Sequence, residues 1–137
     1  MKLQKLLYFC HADYLVQFGK RLVRQDFEAW NYGPVIPSVY AEFKSAGSRP
    51  ISSRASSFDP VTAQRRTLTC SLPHDEETRL HTLYTFYRQF TAERLSDLSH
   101  ELDGPWRQAR SLFSNGLNMD RRVTAEMIQR HHRLIHD

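Results

Sequence analysis

Several things are scarce in this chain of 137 residues. There are two cysteines, Cys10 and Cys70, which is too few for a disulfide framework at this size. There are five glycines, none arranged as a phosphate-cradling loop, and the Gly-x-Ser-x-Gly turn of a serine nucleophile is missing. No apolar run comes near the roughly 20 residues of a membrane span. Asp13 interrupts the only candidate for a signal peptide. Together these absences argue against a secreted, membrane-spanning or nucleotide-binding protein and for a reducing cytoplasm.

What is present fits one ordinary globular domain over residues 1–137, with 40% hydrophobic, 25% charged and 12% aromatic residues. The aromatic share is high and places large rings in a core or at an interface. The formal net charge is +4, and it is local. Residues 44–70 hold Lys44, Arg49, Arg54, Arg65 and Arg66 against Asp59 alone, and the remainder balances. A nucleic-acid binder more often carries its basic stripe on a structured face, so nucleic acid is the less favoured partner.

Periodicity predicts mainly helix. Leu3, Leu6, Leu7, Cys10, Tyr14, Leu15 and Phe18 recur at steps of three and four, and Gly19 stops that helix. Its apolar face is wide, because Phe9, Ala12 and Val16 add a second side. Residues 22–31 alternate and predict a small strand or hairpin that Gly33-Pro34 ends. Pro37 suits the first turn of a helix carrying Val39, Tyr40 and Phe43 and closed by Gly47. Residues 48–74 show no period and read as a basic loop, apart from a short strand at 66–72. Helices follow over 75–90, after the Thr91 cap, from Pro105 to Gly116 and after the Thr124 cap. The expected fold is a compact bundle of five to six helices with a small strand or hairpin.

The candidates for chemistry are weak. His132 and His136 stand four apart, but lack the glutamate of the zinc-protease helix and any cysteine pair. They read as a solvated, basic helix end. Ser99, His100 and Glu101 are consecutive and do not face one another on a helix. Asp97, Glu101 and Asp103 read as a solvated face. No metal, cofactor or catalytic residue is expected. His100, between Leu98 and Leu102, reads as a structural histidine that ties its helix to the Gly104-Pro105-Trp106 turn by a hydrogen bond.

The aromatics say more. Trp30, Tyr32, Tyr40 and Trp106 lie beside Gly-Pro corners, and each is either a ring pinning a turn or part of a partner-binding patch. Gly33, Pro34 and Pro37 restrict the backbone so densely that the corner should be rigid, with Trp30 packed beneath it.

Three segments, taken in order, resemble one family. MKLQKLLYFCHADYLVQFGK, FEAWNYGPVIPSVYAEFKSAG and LSDLSHELDGPWRQAR are similar to the Panacea domain, the family of SocA-like and GepA-like phage-associated antitoxins. VTAEMIQRHH is similar to its C-terminal element. Ser99 stands where the family usually has Thr, and His131 near a position usually aromatic.

The resemblance covers residues 1–47 and 76–132 and implies an antitoxin. Such a protein neutralises a cognate toxin by direct contact, in one case by handing it to an energy-dependent protease, and needs no catalytic residues. Trp30, Tyr32, Pro34, Tyr40 and Trp106 are then the partner-binding candidates, with Gly33, Pro37, His100 and Pro105 as framework. A transcriptional or nucleic-acid-binding accessory protein using Arg49, Arg54, Arg65 and Arg66 is the alternative, and an enzyme comes third. Family members usually carry a further helix before the first segment. Its absence here predicts that Leu3, Leu7, Phe9, Ala12 and Val16 expose an apolar strip, covered by a toxin, by a second copy in a homodimer or by another part of the chain, with a partner favoured.

Overall fold

The computed structural model describes residues 1–117 and 119–134. Its centre is α1 (Lys2–Phe18), which ends where Gly19 turns left-handed at φ 67° and donates its N–H to the Leu15 carbonyl. Every residue from Tyr8 to Leu15 is buried, along with Gln4 and Lys5. A helix buried on all sides explains the wide apolar face, and it corrects the expectation of an exposed strip. Ala12 is fully enclosed, and Phe9 stacks on Tyr87 with centroids 4.9 Å apart. Leu3, Leu7 and Val16 are half-buried.

The chain then forms a hairpin, β1 (Phe27–Trp30) and β2 (Gly33–Val35), with Trp30 opposite Gly33 and Ala29 opposite Pro34. Asn31 and Tyr32 make the turn. Gly33-Pro34 therefore does not end the strand: it is the return strand, buried throughout. A proline is tolerated there because β2 is an edge of the sheet. On the other side β1 pairs with β5 (Arg122–Val123), a strand too short to read from sequence. α2 (Pro37–Phe43) follows, with Pro37 in its first turn, and passes through a 3-10 turn (Lys44–Ala46) to Gly47. No residue of α2 is fully buried.

Residues 48–74 depart from the expected irregular loop. They contain a second hairpin, β3 (Ser56–Asp59) and β4 (Gln64–Thr67), in antiparallel register. β4 shares only Arg66 and Thr67 with the anticipated strand. Its residues are all exposed and polar, so no alternation of apolar side chains marked it.

α3 (His74–Tyr87) packs along α1. A polar seam holds the pair: Arg79 meets the fully buried carboxylate of Asp13 at 2.9 Å, and Tyr14 donates its hydroxyl proton to the buried Glu76, which also pairs with Lys20. Thr91 caps α4 (Ala92–Ser99) through the Arg94 N–H, and Thr124 caps α6 (Ala125–His131) through Met127, as their positions predicted. Pro105 opens α5 (Pro105–Ser114). α4, α5 and α6 close the core with Leu95, Ala109 and Ile128 around Tyr8, Phe27, Ile36 and Leu83. The described residues thus form a mainly α domain of six helices with two small antiparallel sheets.

Candidate functional site

The two Gly-Pro corners meet. Trp106, at the start of α5, donates its indole N–H to the Trp30 carbonyl at 2.7 Å. Arg110, one turn further on, reaches the Ala29 carbonyl and the Asn31 side chain, both at 3.1 Å, and lies over the Trp106 ring at 5.1 Å. The proline at the first helical position aims this turn of α5 at the hairpin. The Trp30 ring leans edge-on against Tyr40 of α2 at 5.2 Å, and its indole N–H is held by Glu28 at 2.7 Å. Trp30 is thus half-buried between hairpin and α2, not enclosed beneath the corner.

Below the corner lies a polar cluster. Ser96 donates to the Tyr32 carbonyl at 2.8 Å, and Ser99 to the Ser96 carbonyl at 2.7 Å. The Lys5 ammonium, fully buried, donates to the Pro34 carbonyl at 3.1 Å. Gly33 passes over this cluster at φ 116°, and a Cβ there would sit 2.7 Å from the Ser99 hydroxyl and 2.8 Å from Lys5 Cε. Only glycine fits both that torsion and that space. Gln4 completes the anchoring, since its amide both donates to and accepts from the backbone of Ile36, the residue just before α2. The short side chain of Ser99 is accordingly part of the packing against Gly33.

His100 is placed by stacking rather than by the expected hydrogen bond. Its ring lies 3.9 Å from that of Trp106 at 26°, and its buried Nε2 has no hydrogen-bond partner among the described residues. Burial, with the nearby Lys5 charge, lowers its pKa, so the ring is neutral near pH 7. The link to the following helix runs instead from the Arg107 guanidinium to the His100 carbonyl, at 2.8 Å.

Above the cluster, α1, the hairpin turn and α2 leave an open groove made of two adjoining cavities. The first, of about 590 Å³, is lined by Gln4, Lys5, Trp30, Tyr32, Tyr40 and Arg121 among others. The second, of about 660 Å³, continues along α2 past Val39, Phe43 and Ile51. They share Met1, Gln4, Tyr40 and Gly47. Tyr32 is 72% exposed and Tyr40 49%. Of the five partner-binding candidates, Trp30, Tyr32 and Tyr40 line this groove. Trp106 braces it from behind, and Pro34 is fully buried in the core.

The remaining candidates are dispersed. His132 is not a solvated helix end: it faces buried Asp13, its Nε2 3.8 Å from that carboxylate. His136 lies outside the described residues. Glu101 is exposed and pairs with His131 at 2.9 Å. No cluster of three or more metal-ligating side chains occurs among the described residues. Arg65 and Arg66 project from the second hairpin towards Glu42 and Asp59, Arg49 donates to the carbonyls of Ser45 and Ala46, and Arg54 is exposed. Gln4, Lys5, Ser96 and Arg121 were not singled out from the sequence. The first three occupy ordinary polar positions of helices, and only the tertiary fold buries them.

The profile described as "Antitoxin SocA-like, Panacea domain" matches residues 3–107. The chain is 36% identical over 108 residues to Antitoxin SocA of Caulobacter vibrioides (strain NA1000 / CB15N). That match takes in 77% of this chain and 56% of the relative, so the chain spans little more than half of the relative's length. No solved structure matches. The profile match contains the corner, the polar cluster and α4, and it ends at Arg107, before the α6 segment. The chain belongs to the SocA-like Panacea-domain antitoxin family. No described helix is long and apolar enough to cross a membrane.

Proposed function

We propose that this member of the Panacea-domain antitoxin family neutralises a cognate toxin by direct protein contact, through the groove between α1, the hairpin turn and α2. Family membership supports the antitoxin role. The observation that carries the choice of surface is the exposure of Tyr32 and Tyr40 on a rigidly braced corner. Large amphipathic rings held in place by packing lose little entropy on binding and are typical anchors of protein interfaces. The alternative, nucleic-acid binding through the basic segment, has less support, because the Arg65 and Arg66 guanidiniums already face carboxylates.

The test is co-expression with the product of the adjacent reading frame. The intact chain should restore growth, and the Tyr32→Ala, Tyr40→Ala double variant should lose rescue while keeping its fold by circular dichroism. Toxicity unrelieved by the intact chain would refute the antitoxin reading, and rescue undiminished in the double variant would refute the surface. Repeating the rescue in a host lacking the energy-dependent protease separates two routes. Blocking survives there, and delivery to the protease does not.

A further inference from the structure

Resting on the antitoxin reading above, we propose that the groove along α1 and α2 takes an acidic, apolar segment of the partner protein, with a carboxylate side chain seated over the floor beneath which Lys5 lies. Charge selects the occupant. The charged side chains that line the groove are Lys2, Lys5, Lys44, Arg49 and Arg121, against Glu93 alone. Among the described residues two of these cations bond neutral groups: Lys2 donates to the Arg88 carbonyl, and Arg49 to those of Ser45 and Ala46.

Lys5 is the sharpest case. Its ammonium is buried, its acceptor among the described residues is the neutral Pro34 carbonyl, and none of them supplies it a carboxylate. A buried charge without a counter-charge is costly, and its field reaches further through a poorly polarisable interior than through water. The groove walls above it carry aromatic and apolar side chains, with Trp30, Val35 and Tyr40. A neutral apolar segment laid there would bury Lys5 more deeply and leave it unpaired. A segment with a carboxylate at that point would compensate it. The same charge thus favours one class of partner and penalises another. Because the groove is open along its length, it suits a stretch of polypeptide better than an enclosed small molecule.

Burial lowers the Lys5 pKa to about 8, and a carboxylate overhead would raise it again. That supplies a direct readout. The lysines of this chain are Lys2, Lys5, Lys20 and Lys44, few enough to follow by NMR with carbon-13 at Cε, the Lys5 signal being assigned by its loss in Lys5→Met. The probe is the capped peptide Ac-Leu-Glu-Ile-Leu-Glu-Leu-NH2, with its counterpart bearing Gln for Glu as the control.

The acidic peptide should raise the Lys5 midpoint by about one pH unit or more, and the Gln peptide should leave it in place. Lys5→Met should weaken the acidic peptide about fivefold or more and the Gln peptide less than about twofold. The inference is overturned if the two peptides bind alike, if neither binds, if the Lys5 midpoint is unmoved at saturation, or if a thymidine hexanucleotide occupies the groove in preference to the acidic peptide. Those outcomes, with toxin rescue intact, leave the antitoxin reading standing. Failure of the intact chain to rescue growth is the separate result that removes the reading itself.

Discussion

Lys5→Met should make the protein more stable near neutral pH and less stable in alkali. In the folded chain the ammonium is fully enclosed and its pKa is lowered by burial to about 8, against roughly 10.4 for a lysine in water. Below pH 8 the lysine is charged in both states, and the folded state bears the whole cost of burying it. At ~1.4 kcal/mol for each pH unit of difference, that cost is about 3 kcal/mol. Above roughly pH 10.4 the lysine is neutral in both states and the cost is gone. Methionine matches the length of the side chain and carries no charge. It forfeits the hydrogen bond to the Pro34 carbonyl, a loss of about 1 kcal/mol. The net gain at pH 7 is about 2 kcal/mol, or roughly 6 °C in Tm for a domain of this size. Near pH 10.5 the sign should reverse, with the variant about 1 kcal/mol the weaker. Urea unfolding of both proteins at pH 7, 9 and 10.5 measures this directly. A variant destabilised at pH 7, or a difference constant across that range, would refute the account of Lys5 as a buried, uncompensated cation.

Other substitutions and pH probe the same scaffold. Gly33→Ala should cost at least about 2 kcal/mol, since it adds strain at positive φ to overlap with Ser99 and Lys5. Thermal melts check it, and a loss under about 0.5 kcal/mol would mean that the corner yields easily. Trp106→Phe keeps a ring for His100 but removes the donor to the Trp30 carbonyl, and should lower stability by about 1–2 kcal/mol in urea unfolding. His11 is buried, its Nδ1 accepts the Val23 N–H, and burial lowers its pKa to about 4. The unfolded chain therefore binds the extra proton between roughly pH 6.5 and 4, and stability should fall by about 3 kcal/mol on acidification through that window. A His11→Leu variant should lose that part of the slope.

The sequence was legible where local chemistry decides structure. Gly19, Thr91, Pro105 and Thr124 punctuate the chain where caps and breakers placed them, and helix periodicity supplied the class of fold. It was misleading where tertiary packing overrides local signals. The polar residues Gln4, Lys5 and Asp13 look like the wet side of an amphipathic helix, yet α1 is central and all three are buried. Phe9 and Ala12 look surplus to one face, and they meet Tyr87 and the core. The second hairpin carries no apolar alternation because its strands are exposed or half-buried and meet α2 through polar contacts to Glu42, so composition alone reads as a loop. Gly33-Pro34 reads as a stop and is instead an edge strand, a role that depends on which neighbour lies across the sheet. The pairing of the two Gly-Pro corners, by contrast, was foreshadowed by one feature: both tryptophans stand beside such a dipeptide.

The uneven spread of polar burial is itself informative. At the α1–α3 seam the buried charges are matched, Asp13 with Arg79 and Glu76 with Lys20. At the other end of the same helix, among the described residues, Lys5 has a neutral carbonyl as its acceptor, and His100 nearby keeps a nitrogen without a hydrogen-bond partner. A fold that balances its charges at one end has no general difficulty in doing so. Packing needs alone would be met at Lys5 by a methionine of similar length. Stability therefore does not explain the lysine, whereas the partner carboxylate proposed for the groove would. Local sacrifices of stability that coincide with exposed, rigid aromatic surface are what a binding site imposes on a scaffold. On the proposed function the N-terminal half of α1 would underlie the binding face, while Asp13 and Tyr14 in its C-terminal half tie the helix to α3.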